Sequence, residues 1–136
     1  MAEEEAYHEL SAYTLSLRDP EFIHQHVVDA YMAQHADENT KPIGITFALV
    51  GLYMHCDLHR TGKEVQREHM SLARVKRPWP KIALPKSRGA ITAIDVMATR
   101  EGTERNRAID EWCADVWNEY APVNRETIKR LLGRRA

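Results

Sequence analysis

Apolar residues recur along most of this chain at spacings of three and four, and no segment alternates convincingly, so the pattern predicts helices and no strand. Residues Glu3 to Leu17 have helical composition with a weak stripe of Leu10, Tyr13 or Thr14, and Leu17. Asp19-Pro20 reads as a helix start, a side chain that accepts a backbone N–H followed by proline at the first helical position. A second helix is expected from Pro20 to Ala36, with Ile23, Val27, Ala30 and Tyr31 on its apolar arc and Gln25 and Asp29 opposite. The polar linker Asp37-Glu38-Asn39-Thr40 is short, which predicts antiparallel neighbours.

The stretch Lys41 to Arg60 is the most apolar of the chain. No formally charged residue lies between Pro42 and Cys56, and apolar side chains fall on nearly every side of the wheel, as in a central, buried helix. One narrow side consists of Gly44, Ala48, Gly51, His55 and His59. Glycine inside a helix costs about 0.8–1 kcal/mol relative to alanine, so two of them predict close approach of another backbone. Thr46, Tyr53 and Asp57 occupy the side expected to have the most access to water.

Thr61-Gly62-Lys63-Glu64 fits a capping box and starts a fourth helix, Gly62 to Val75, with Val65, His69 and Leu72 facing inward. From Lys76 to Gly89, Pro78, Pro80 and Pro85 exclude a regular helix. Trp79 is expected to anchor this connector to the bundle; a lid over a site is the sharper alternative. A short helix over Thr92 to Thr99 follows, then one from Thr103 to Tyr120 with Ile109, Trp112, Cys113, Val116 and Trp117 as its apolar face. Pro122 is expected to stop that helix and Asn124 to cap a last one carrying Ile128, Leu131 and Leu132. The expected fold is therefore all-α: one helical domain over residues 1–136, a bundle interrupted by a long proline-rich connector between its N-terminal and C-terminal helices.

Composition adds limits. With 43% hydrophobic and 29% charged residues the chain is ordinary for a soluble globular protein. Its longest uncharged apolar run, about fourteen residues, falls short of the ~20 needed to span a bilayer, so no membrane partner is expected. The acidic opening Met1-Ala2-Glu3-Glu4-Glu5 is unlike a targeting peptide, which makes the cytoplasm the expected location. Cys56 and Cys113, without a CxxC spacing, read as reduced and mostly buried thiols.

Charge is unevenly spread. Residues 1–59 carry two basic side chains against ten acidic ones, and residues 60–136 carry seventeen against ten. Opposed halves of this kind can pack together within a chain or across a homo-oligomer. Six of the seven histidines lie in the acidic part. If the second and third helices form a hairpin about Asn39-Thr40, His24 stands opposite His55; if the third and fourth turn near Gly62, His55 is level with His69, with His59 one helical turn away.

Converging imidazoles suit a divalent transition metal such as Zn, Fe or Ni, with His24, His55, His59 and His69 as candidate ligands. Glu68, Asp29 or Asp57 could orient them. A small cytoplasmic metal-binding protein, extending to a metal-dependent enzyme acting on a small molecule, is the function this pattern favours. A hydrogen-bonded histidine network in the core accounts for the same residues without metal. His8 and His26 are expected at the surface.

The basic part supports a different function, a non-enzymatic module that binds a protein or anionic partner. Lys76, Arg77, Lys81, Lys86 and Arg88 crowd the connector, and Arg130, Arg134 and Arg135 close the chain. A sequence pI near 6.7 argues against a nucleic-acid reader. No GxGxxG, P-loop, HExxH or nucleophile-elbow pattern is present.

The segments FIHQHVVDAYMAQHA and FALVGLYMHCDLHRTGKEVQREHM and the following RPWP together resemble a small bacterial family, a domain of unknown function. The resemblance covers most of residues 20–100 and implies a bacterial cytoplasmic protein without assigning an activity. A looser similarity is to metal-binding helical bundles of the DinB type, in which three histidines hold a divalent ion. There the HxxxH pair comes late, whereas His55 and His59 lie mid-chain.

Overall fold

The computed structural model describes residues 1–133, which form six α-helices and no strand. They are α1 (Glu3–Ser16), α2 (His24–His35), α3 (Pro42–Cys56), α4 (Gly62–Ala73), α5 (Ala93–Met97) and α6 (Thr103–Gly133). No helix among the described residues is long and apolar enough to cross a membrane. The expected connector is present between α4 and α5.

The all-round apolarity of α3 makes it the centre: it packs against α2, α4 and α6 at once. Ile45, Ala48, Leu49, Val50, Leu52 and Met54 are all buried there. At Gly51 the helix meets α2 so closely that an added Cβ would overlap the Asp29 carboxylate. The close approach expected of both glycines occurs at Gly51 alone, and there against a side chain rather than a backbone; Gly44 meets only Thr40 Cγ2, in ordinary contact at 3.9 Å. Thr46 and Tyr53 are buried rather than wet, Tyr53 lying edge-on to Trp117 of α6 with ring centroids 6.1 Å apart. Asp57, just past α3, accepts hydrogen bonds from Trp117 Nε1 (3.0 Å) and Arg125 Nε (2.7 Å).

Two predicted boundaries are corrected. Asp19-Pro20 does not start α2; the Asp19 carboxylate accepts from the backbone N–H groups of Glu21 and Ile23 while Phe22 takes φ 58. A left-handed residue ends the turn, and the helix begins only at His24. Pro122 does not stop α6, which passes through it to Gly133. Proline removes one N–H and crowds one turn, a local cost of about 3 kcal/mol. Burial of Tyr120, Ala121, Ile128 and Leu131 on both sides of it opposes that cost.

Asn124, expected as a cap, instead reaches the connector. It donates to the Ala83 carbonyl and accepts from the Ala83 N–H, both at 2.9 Å. Asp115 accepts from the N–H groups of Ala90 and Ile91. Gln34 donates to the carbonyls of Arg88 and Ile91 and accepts from Trp112 Nε1. Arg88 donates to the Ala33 and Ala36 carbonyls at the end of α2, where a cation also opposes the helix dipole. Trp79 packs edge-on against Phe47, ring centroids 5.4 Å apart. The connector is a strap held by side chains that imitate backbone partners. Arg134 and Arg135 of the basic cluster lie outside the described residues.

Helix propensity alone would make Gly51→Ala stabilising by up to about 1 kcal/mol. Overlap with Asp29 reverses the sign: the variant is expected to lose about 1–3 kcal/mol in urea denaturation. A gain in stability would show that α2 and α3 do not approach this closely.

Candidate functional site

His26, not His24, stands opposite His55. Their rings are stacked with centroids 3.6 Å apart and planes 18° from parallel. His26 is only 5% exposed, which corrects its expected surface position. Two residues along a helix are separated by roughly 200° of rotation, so a hairpin register one residue out places the neighbouring imidazole on the opposite side. His24 accordingly turns toward α1 and pairs with Thr14 Oγ1 through Nδ1 at 2.9 Å. A usable signal was present: His26, Ala30 and Ala33 follow the i, i+4, i+7 spacing of a buried face.

The remaining candidates separate as well. His69 donates from Nε2 to the Phe47 carbonyl at 2.8 Å, with its ring stacked on Phe47. His55 Nε2 lies 3.0 Å from Asp110 Oδ1. His59, beyond the end of α3, shares a cavity with His55, His26 and Asp110. The convergence expected of His24, His55, His59 and His69 is therefore not formed. Among the described residues no three His, Cys, Asp or Glu side chains are grouped closely enough to hold a metal ion. The stacked pair itself is poorly disposed to chelate. An imidazole lone pair lies in its own ring plane, so nearly parallel rings direct their lone pairs side by side, not toward one point.

The cavity, of about 500 Å³, opens between the turn after α1, the start of α2, the end of α3, the start of α4 and α6. Asp19, Glu21 and Asp110 give its wall carboxylates, while Arg60 is already 3.5 Å from Glu64. Among the described residues three non-glycines have left-handed backbone, Arg18 (φ 51), Phe22 (φ 58) and His59 (φ 57). All three flank or line this cavity. Such conformations cost of order 1–3 kcal/mol each and are held in place by their surroundings. The turn is locked from behind: Lys63 N–H donates to the Glu21 carbonyl at 2.9 Å, and Gly62 leaves no room for a Cβ against the Phe22 carbonyl.

Burial pushes the His26 imidazole down to about 3, with His55 adding to the effect and Asp110 and Asp19 opposing it, so the ring is neutral near pH 7. Its Nδ1 is buried without a hydrogen-bond partner. Burial, then Asp57 and Asp110, pushes the Cys56 thiol up to about 12, which keeps it protonated. A carboxylate only accepts, so the contact with Asp110 places a proton on His55 Nε2. In the neutral ring Nδ1 is then the basic nitrogen. One turn from His26, Asp29 is fully buried; burial holds its carboxyl well above the ordinary range against a weaker opposing hydrogen bond from Gln25.

The chain belongs to DUF5946, a family of unknown function, whose model matches residues 4–121 and so includes every residue of this cavity. No curated protein and no solved structure shows significant similarity.

These groups give folding a defined pH dependence. His26 is depressed from 6.5, so the unfolded chain binds the extra proton and stability falls as pH drops below 6.5. His24 and His69, both lowered by burial, act in the same direction. Asp29 is raised from 3.8, so the folded chain binds the extra proton and stability falls as pH rises above 3.8 toward the folded value. Asp29→Asn is therefore expected to gain on the wild type by about 1.4 kcal/mol per pH unit in that window. Urea denaturation at successive pH values from mildly acidic to neutral measures it; a difference independent of pH would contradict a protonated Asp29.

Proposed function

We propose that this protein binds a small amine-bearing molecule in the cavity beside α3, with His55 as its acid–base group. The observation that carries the reading is the His26–His55–Asp110 array at the wall of a cavity of about 500 Å³. Asp110 orients the His55 ring through the contact with Nε2. His26, kept neutral beneath it, presents no competing charge. Asp19 satisfies backbone N–H groups, Asp110 meets His55 and Arg60 faces Glu64, which leaves the Glu21 carboxylate to favour a positively charged ligand. The left-handed residues around the cavity support the same location.

A divalent transition metal, Zn, Fe or Ni, is the second reading, and one observation favours it: His55, Cys56, His59 and Asp110 line a single smaller cavity of about 240 Å³. Binding would require the side chains to rotate toward one another and Cys56 to remain a bystander or lose its proton.

The first reading is tested by titrating histidine-labelled protein with a panel of small amines and following the imidazole resonances. At least one amine is expected to shift His26, His55 and His59 together, with affinity reduced about tenfold or more in Asp110→Asn. His59→Gly should weaken binding while leaving stability unchanged or raised by up to about 1 kcal/mol, since glycine accepts the left-handed backbone. A panel that shifts nothing, or shifts that persist in Asp110→Asn, would remove the reading. The second is tested by elemental analysis of tag-free, dialysed protein beside the His55→Ala, His59→Ala double variant. Metal near one equivalent in the wild type only is the result it expects.

A further inference from the structure

Away from the histidine cavity, Arg77, Pro78 and Pro80 of the strap and Thr127, Arg130 and Leu131 of α6 line a second cavity, of about 410 Å³. Among the described residues its lining includes two arginines and no carboxylate. Arg60, Arg105 and Arg125 each have an acidic partner within ion-pair distance; among the described residues Arg77 and Arg130 have none. The nearest acid along the helix, Glu126, lies 3.6 Å from Lys129.

Arg77 is held without an acid. Its guanidinium lies 5.9 Å from the Trp79 ring centroid, and its Nε is buried without a hydrogen-bond partner. Trp79 rests edge-on against Phe47, and Phe47 stacks on His69 at 4.7 Å. A series of rings from α4 through α3 to the strap therefore fixes this arginine by stacking and cation–π attraction. A guanidinium positioned by aromatic walls keeps its hydrogen-bonding edge for an external acceptor, with little side-chain entropy left to lose on binding.

We propose that this cavity binds a small phosphate monoester. Arg77 and Arg130 supply charged N–H donors to the phosphoryl oxygens and the Thr127 hydroxyl a third donor, while Pro78, Pro80 and Leu131 cover the organic part. The site is separate from the histidine cavity, and Thr127 and Arg130 lie beyond the matched family region.

The test is a titration of the full chain, labelled with nitrogen-15, with phenyl phosphate at fixed ionic strength, read on arginine Nε–H and Trp79 indole N–H resonances. Saturable shifts are expected. Arg77→Gln and Arg130→Gln should each weaken binding about tenfold and Thr127→Val about threefold, with Arg107→Gln, an exposed arginine elsewhere on α6, unchanged. Arg130 is on an exposed face, so its substitution carries the test even if Arg77→Gln perturbs the strap. Absence of saturation, equal weakening by Arg107→Gln, benzoate binding as tightly as phenyl phosphate, or a single-stranded oligonucleotide binding more tightly than either would overturn the proposal.

Discussion

The contact between Gly51 of α3 and Asp29 of α2 sets the geometry on which the rest of the molecule depends. Only a residue without a side chain lets the two helices come together there. His26 stands one turn before Asp29 and His55 one turn after Gly51. In an antiparallel pair the same close approach therefore brings the two imidazoles face to face. Wider separation would leave each ring to find another partner. The cavity would lose the array that distinguishes it from any other gap between helices.

That contact also confines a carboxyl group to the interior. Asp29 has one oxygen bonded to Gln25 and the other without a partner. An unsatisfied buried polar atom costs about 1–3 kcal/mol, so the α2–α3 seam is a place where packing and polar satisfaction conflict. The conflict is tolerated because the surrounding core is extensive: Leu49, Leu52, Ile109, Trp112 and Val116 are fully buried. The strap is solved in the opposite way. Asn124, Asp115, Gln34 and Arg88 give its backbone the partners that a sheet or helix would have supplied.

Much of the fold was legible because it follows from local chemistry. The capping box at Thr61 and Glu64 forms as its residues imply. The uniform apolarity of α3 marked the centre, and the Ile109–Trp117 face of α6 is buried throughout. What was illegible required rotation or tertiary context. Height along a hairpin can be counted from its turn, but which of two nearby imidazoles faces inward depends on a register known to within one residue, and an error of that size exchanges His24 for His26. Pro122 could not be judged from its own neighbourhood, because the burial that carries α6 through it comes from α2, α3 and the strap. The water-exposed side assigned to Thr46, Tyr53 and Asp57 was wrong for the same reason, since Trp117 and Arg125, far along the chain, meet Tyr53 and Asp57 there.

The opposed charge of the two halves takes a physical form in the two cavities. Carboxylates of Asp19, Glu21 and Asp110 gather around the imidazoles of His26, His55 and His59 at one, and two arginines without an acidic partner among the described residues line the other. Had the charge asymmetry served only to hold the halves together, Arg77 and Arg130 would be expected to face acids of the N-terminal half, as Arg125 faces Asp57. They do not. Among the described residues, left-handed backbone at positions other than glycine likewise collects at the acidic cavity. Strain and unpaired polar groups lower the stability of a domain whose total is only about 5–15 kcal/mol. The left-handed non-glycine residues gather at the acidic cavity, and His26 and Arg77 carry unpaired atoms at the two openings, whereas the unpaired atoms of Ser11, Asp29, Thr46 and Arg105 lie away from both.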